Sequence, residues 1–144
     1  MSKVKCKGLD HVAIAVVNLE RAIALYRDVF GLELTEIEEV PEQKVRTAIF
    51  GHGMGRVELI CPTEPDTGVA RFLAKRGEGL HHVCLEVEDL DEAMAACRDN
   101  GVALIDATPK PGAGGARVAF IHPKGTHGVL TELRQGPPAS PAKM

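Results

Sequence analysis

Two stretches of this chain carry one pattern. Leu9-Asp10-His11-Val12-Ala13-Ile14-Ala15-Val16 is matched by Leu80-His81-His82-Val83-Cys84-Leu85-Glu86-Val87, with His11 and His82 71 residues apart. At the same spacing Leu19 meets Leu90, Ala22 meets Ala93, Ala24 meets Ala95, and Arg27-Asp28 meets Arg98-Asp99. The spacing is about half of the 144-residue chain, so the fold is two copies of one module rather than a many-repeat solenoid.

Each copy opens as a strand. Val12, Ile14 and Val16 alternate with His11, Ala13 and Ala15, and Val83, Leu85 and Val87 alternate with His82, Cys84 and Glu86. A period of two places the branched residues under a helix and both histidines on the opposite face. In that register His81 faces away from His82.

A helix follows each strand. Asn18 is an N-cap, Ala22, Ile23, Leu25, Tyr26, Val29 and Phe30 form an apolar stripe, and Gly31 stops it. Asp89 with Glu92 three residues later reads as a capping box, ahead of Ala93, Met94, Ala96, Cys97 and a terminal Gly101. Three strand-like runs come next in each half: Leu32–Glu39, Val45–Gly51 and Arg56–Cys61, then Val102–Ile105, Ala116–Ile121 and Gly128–Arg134.

The predicted architecture is α+β, two tandem βαβββ modules forming paired curved sheets. Residues 1–135 make one domain, with module 1 over about 8–62 and module 2 over about 79–135. A linker helix over about 63–78 presents Val69, Phe72 and Leu73, and the Pro-rich tail 136–144 is expected to be disordered.

A second internal match bears on chemistry. Arg56-Val57-Glu58-Leu59 is echoed by Leu130-Thr131-Glu132-Leu133, each on the last strand of its half. A pseudo-two-fold axis therefore brings His11, His82, Glu58 and Glu132 towards one concave face. Two neutral imidazoles and two carboxylates neutralise a divalent ion and offer borderline N/O donors, which suits Co, Mn, Ni, Zn or Fe better than Ca. Taken singly, a strand histidine is usually a hydrogen-bonded structural residue and a strand glutamate a solvated one. The recurrence of both sets a metal site beside that plainer reading.

The other polar residues read as structural. His52, His122 and His127 fall at strand ends or turns, and Glu36–Glu39 is a solvated strand end. Thr108–Ala116 is glycine-rich but lacks a P-loop Lys-Ser/Thr, and reads as a flexible hairpin or a loop covering a substrate. Cys6, Cys61, Cys84 and Cys97 form no Cys-x-x-Cys pair and read as thiols of a reducing compartment, with Cys84 a small core or cleft residue.

Composition removes several classes of partner. Seventeen Lys and Arg against twenty Asp and Glu give a net charge of −3, without the basic footprint of a nucleic-acid binder. Apolar runs such as Val12–Val17 are too short to cross a membrane. Neither a secretory h-region nor an Arg-rich leader is evident, so a cytoplasmic protein is expected.

With these residues in view, the chain resembles the vicinal oxygen chelate superfamily, and within it the methylmalonyl-CoA epimerase family. Leu9–Val16 and Gly128–Leu133 carry the superfamily likeness, while Pro41–Val45, Gly77-Glu-Gly-Leu-His-His-Val83 and His122-Pro-Lys124 are nearer the epimerases. The resemblance runs from about Leu9 to Leu133. It implies a metal-binding cleft whose ligands fall on His11, Glu58, His82 and Glu132, where some epimerases have Gln in place of Glu58.

The implied reaction inverts the α-carbon of a CoA thioester substrate through an enolate, with Glu132 as one base. The second catalytic Glu of some relatives corresponds to Thr47 here, which leaves Glu42, Glu58 or a water as the other acid-base group. A homodimer is the family expectation. A glyoxalase I acting on a glutathione hemithioacetal is the rival, although its turn usually reads Asp-Pro-Asp-Gly where this chain has His122-Pro-Lys124. Non-catalytic binding members generally lack the four ligands.

Overall fold

The computed structural model describes residues 2–138. The strands are β1 (Cys6–Ala15), β2 (Leu34–Val40), β3 (Val45–Phe50), β4 (Arg56–Pro62), β5 (Gly79–Val87), β6 (Lys110–Pro111), β7 (Arg117–Ile121) and β8 (Thr131–Gln135). The helices are α1 (Leu19–Ala24), α2 (Gly68–Arg76) and α3 (Leu90–Asp99). All eight strands form one curled sheet in the order β2-β3-β4-β1-β5-β8-β7-β6. The two four-stranded halves meet edge to edge where β1 pairs antiparallel with β5, and each half closes on itself through a parallel pair, β1–β4 or β5–β8.

The seam carries the internal symmetry. Val12 pairs with Val83, its equivalent in the repeat, and on either side His11 pairs with Cys84 and Ala13 with His82. The pseudo-two-fold axis therefore passes between the two valines. The parallel ladders agree, with Ala13 opposite Glu58 and Cys84 opposite Glu132.

The helices form where their caps and apolar faces are both present. Asn18 accepts a hydrogen bond from Arg21 N at 2.9 Å, Asp89 from Glu92 N at 2.9 Å, and Thr67 from Ala70 N at 3.2 Å, each satisfying an orphan donor of a first turn. The chain of α1 continues through a π-helical turn, Leu25–Val29, before Gly31 turns it with φ 71°. Ile14 and Val16 pack with Leu19, Ile23, Phe50 and Leu59 under α1, while Leu85 and Val87 pack with Leu90, Met94 and Leu133 under α3. Those of them that are fully buried, such as Leu19, Leu59 and Leu90, each stabilise the fold by roughly 1.5–3 kcal/mol. The opposite, concave face of β1 and β4 packs Ala13, Ala15 and Ile60 against Val69, Phe72 and Leu73 of α2.

Three expected features differ. Val102–Ile105 forms only an isolated bridge, Leu104 to Ile121, because Val102 and Leu104 are drawn into the α3 core and the Asp106 carboxylate accepts Phe120 N at 2.8 Å where a ladder would continue. The edge position goes instead to the two residues of β6. The last strand begins at Thr131 rather than Gly128, which closes a turn with φ 90°. The loop before β7 is tied down, since Gly114 N donates to Glu38 Oε1 at 2.9 Å and Ala113 packs on the concave core. Of the tail expected to be disordered, Gly136 N donates to Glu86 Oε2 at 2.9 Å, and residues 139–144 lie outside the described residues.

Candidate metal centre

Period two within each strand, combined with the registers above, puts His11, Glu58, His82 and Glu132 on one face of four adjacent strands. All four are buried, between 3 and 7% exposed. Ligand atoms of His11, His82 and Glu132 lie within 4.8 Å of one another. Glu132 Oε1 is 3.4 Å from His11 Nε2 and 3.3 Å from His82 Nε2. Glu58 reaches the group from the His11 side only, its Oε2 3.6 Å from His11 Nε2.

Neither Nε2 atom makes a hydrogen bond of acceptable geometry. Buried polar atoms are nearly always partnered, so two converging orphans are nitrogens free to ligate a cation. Imidazole nitrogens beside ionised carboxylates are the donors a first-row divalent ion takes, and the residues fit such an ion.

The electrostatics point the same way. Burial disfavours charge on His11, but its hydrogen bond to Asp10 and the neighbouring Glu132 and Glu58 prevail, and its pKa is raised to about 10. Burial likewise opposes charge on Glu132, yet the two imidazoles hold its carboxyl well below the usual range. Burial pushes Glu58 up. In the metal-free protein a proton on His11 thus partly fills the role of a cation among carboxylates.

Four further residues support the site, and two of them, Asp10 and His81, escape the alternation pattern. Asp10 is the extra residue of a β-bulge, since β1 advances from Leu9 to His11 while β5 moves only from Leu85 to Cys84. The bulge turns the Asp10 carboxylate to accept His11 Nδ1–H at 2.7 Å, and Arg56 Nη2 donates to the same oxygen at 2.5 Å. Arg134 Nη1 approaches the other Asp10 oxygen at 3.5 Å and donates to Glu86 at 2.6 Å. Arg56 and Arg134 were readable in sequence, as each lies two residues from a glutamate of the quartet and so shares its face.

His81 is the fourth, and the expectation that it faces away from His82 is overturned. A second bulge, with Ala13 opposite His82 and Ile14 opposite Leu80, leaves His81 unpaired and turns it back, so that its Nδ1 lies 2.8 Å from His82 Nδ1. Its pKa is lowered to about 4 by burial and by His82.

Thr47 is buried and lines a small cavity with His11, Glu58, Glu132 and Ala113, its hydroxyl donating to Glu38 O at 3.3 Å. Glu42 is exposed and lies outside that lining. His52 pairs with Glu33 at the surface, His122 caps the turn at Lys124, and His127 sits in a turn at φ 56°. Cys84 is buried on the site face, and burial raises its thiol pKa. A larger cleft of about 620 Å³ is lined by Arg71, Phe72, Lys75 and Arg76 of α2 together with His81, His82 and Leu130.

Residues 10–120 match the family described as the Glyoxalase/Bleomycin resistance protein/Dioxygenase superfamily. Methylmalonyl-CoA epimerase of Dictyostelium discoideum is 39% identical over 136 residues, covering 94% of this chain and 82% of that protein. Ethylmalonyl-CoA/methylmalonyl-CoA epimerase of Cereibacter sphaeroides is 38% identical, covering 88% and 96%. The solved structure of a Streptomyces coelicolor methylmalonyl-CoA epimerase variant in complex with 2-nitronate-propionyl-CoA superposes with a TM-score of 0.90 at 36% identity, covering 93% of this chain and 100% of that one. A lactoylglutathione lyase of Arabidopsis thaliana is more distant, 30% identical over 135 residues. The chain belongs to the glyoxalase/bleomycin resistance protein/dioxygenase superfamily, and within it to the methylmalonyl-CoA epimerases.

Proposed function

We propose that this chain interconverts the (R) and (S) forms of methylmalonyl-CoA by removing and returning the α-proton, with a divalent metal held by His11, His82, Glu132 and Glu58. The carrying observation is the buried convergence of His11, His82 and Glu132 with two unpartnered imidazole nitrogens, in a chain of this family. The α-carbon lies between a thioester and a carboxylate, so its proton is removable once charge on the thioester oxygen is stabilised. A Lewis acid bound at this centre supplies that stabilisation.

The chain's own residues supply the proton transfers. Glu132, held below the usual carboxylate range, is ionised near neutral pH and, released from or only loosely held by the metal, is in the form that accepts the α-proton. Thr47 has no side chain that titrates near neutrality, and Glu42 is exposed. Glu58, whose pKa burial raises, is the group we assign to the opposite transfer, directly or through a water. Arg71, Lys75 and Arg76 along the larger cleft complement the phosphates of a CoA arm.

Within the same proposal, the metal is Co, Mn, Ni, Zn or Fe, residues 1–135 act as one domain, and the protein works as a cytoplasmic homodimer. Exposed Leu25, Val29 and Phe30 beyond α1 favour association of two copies, which light scattering would register as twice the 15.4 kDa chain mass. No helix among the described residues is long and apolar enough to cross a membrane.

The deciding experiment follows the α-proton of methylmalonyl-CoA by NMR in D₂O, with Co²⁺-loaded and chelated protein. Metal-dependent exchange well above the uncatalysed background is expected. Background exchange from folded, metal-replete protein refutes the assignment, and turnover of the methylglyoxal–glutathione hemithioacetal instead would select the lyase chemistry.

A further inference from the structure

Asp10 and His81 are equivalent residues of the repeat, both 71 positions apart and both immediately before a site histidine. Each is the unpaired residue of a bulge in the β1–β5 seam, and each thereby meets the Nδ1 of the following ring: Asp10 Oδ2 at 2.7 Å from His11, His81 Nδ1 at 2.8 Å from His82. Bulges next to active sites commonly serve to re-aim a side chain. Here two of them perform the same task in the two halves, with different chemistry.

We infer that His81 is the positioning residue for His82, accepting its Nδ1–H and so aiming His82 Nε2 at the ion position beside Glu132. The inference rests on the metal reading above. A neutral imidazole carries one ring proton, so a ligating Nε2 requires that proton on Nδ1, and an acceptor there fixes both tautomer and ring plane. His81 Nδ1 is the atom within hydrogen-bonding distance of it. Phe72 packs edge-on against the His81 ring at 4.9 Å and Phe120 against the His82 ring at 5.3 Å, which holds both rings in register. In the other half the acceptor is an anion braced by two arginines; in this half it is an uncharged ring. The centre therefore gains its second oriented imidazole without adding a further buried negative charge.

Two variants separate positioning from packing. His81→Phe keeps a ring against Phe72 and removes the acceptor, whereas His81→Asn places an oxygen near the lost Nδ1. Long-range ¹H–¹⁵N NMR of metal-free protein reads the His82 tautomer directly, and competition with a chromophoric chelator reads Co²⁺ affinity. The expected result is His82 protonated on Nδ1 in wild type and in His81→Asn, a shift to Nε2–H in His81→Phe, and about 10–100-fold weaker Co²⁺ binding by His81→Phe that His81→Asn largely restores. An unchanged tautomer and unchanged affinity in folded His81→Phe overturn the inference. Wild-type protein that binds no Co²⁺ refutes the metal reading, while the metal-free tautomers still decide the role of His81.

Discussion

Metal affinity should rise steeply with pH, because an ion can bind His11 only after the ring gives up a proton. The hydrogen bond to Asp10 and the charges of Glu132 and Glu58 raise the His11 pKa to about 10 in the metal-free protein. At pH 7 the neutral ring is then present in roughly one molecule in a thousand, a handicap of about 4 kcal/mol. Glu132, already ionised, adds no proton to the exchange. The apparent Co²⁺ dissociation constant should fall about tenfold per pH unit, roughly a hundredfold from pH 6 to pH 8. Chelator competition at pH 6, 7 and 8 measures it, and calorimetry in buffers of different ionisation enthalpy counts the proton released. Asp10→Asn removes the hydrogen-bonded anion and should flatten the slope. An affinity independent of pH in wild type, or an Asp10→Asn slope identical to it, refutes this account. The same raised pKa has a consequence for stability. His11 stabilises the metal-free fold fully below its unfolded value near 6.5, and that contribution is lost as pH rises towards 10. Metal-free protein should therefore melt at falling temperatures from pH 7 to pH 9, whereas the metal-loaded form should not follow it.

Three further outcomes are expected. Glu132→Gln should lower α-proton exchange in D₂O by about 10²–10⁴-fold while circular dichroism stays unchanged, since it removes an acid-base group and a charged ligand together. Leu90→Ala, at 0% exposure on the buried face of α3, should cost about 2–5 kcal/mol in urea unfolding. Gly112→Ala would bring a Cβ within 2.7 Å of Val118 Cγ1, so it should cost about 1–3 kcal/mol and displace the loop whose Ala113 lines the cavity, raising KM more than it lowers kcat.

The internal repeat made much of this legible. A period of two gave the faces of β1 and β5, and matching Glu58 with Glu132 gave the quartet. Alternation fails wherever a strand carries an extra residue, which is why it puts His81 on the wrong face and gives Asp10 no part in the site. Aligning Asp10 with His81 at the repeat spacing was the one available signal that these two share a task. Val102–Ile105 misled for a different reason: an apolar run reports burial, and α3 satisfies that burial without a ladder. Side-chain pairs across the seam, such as Arg134 with Asp10, depend on registers that no single stretch of sequence contains.

Each half of the chain donates one imidazole and one carboxylate across the β1–β5 junction. An ion bound there is a clasp between two bodies as well as a reagent, because neither half can leave without surrendering half of the coordination shell. Mass action then makes holding the metal equivalent to holding the halves together, with a gain that grows as RT ln(1 + [ion]/Kd). Loaded protein should lose both halves in one transition, and stripping the metal should weaken the junction first.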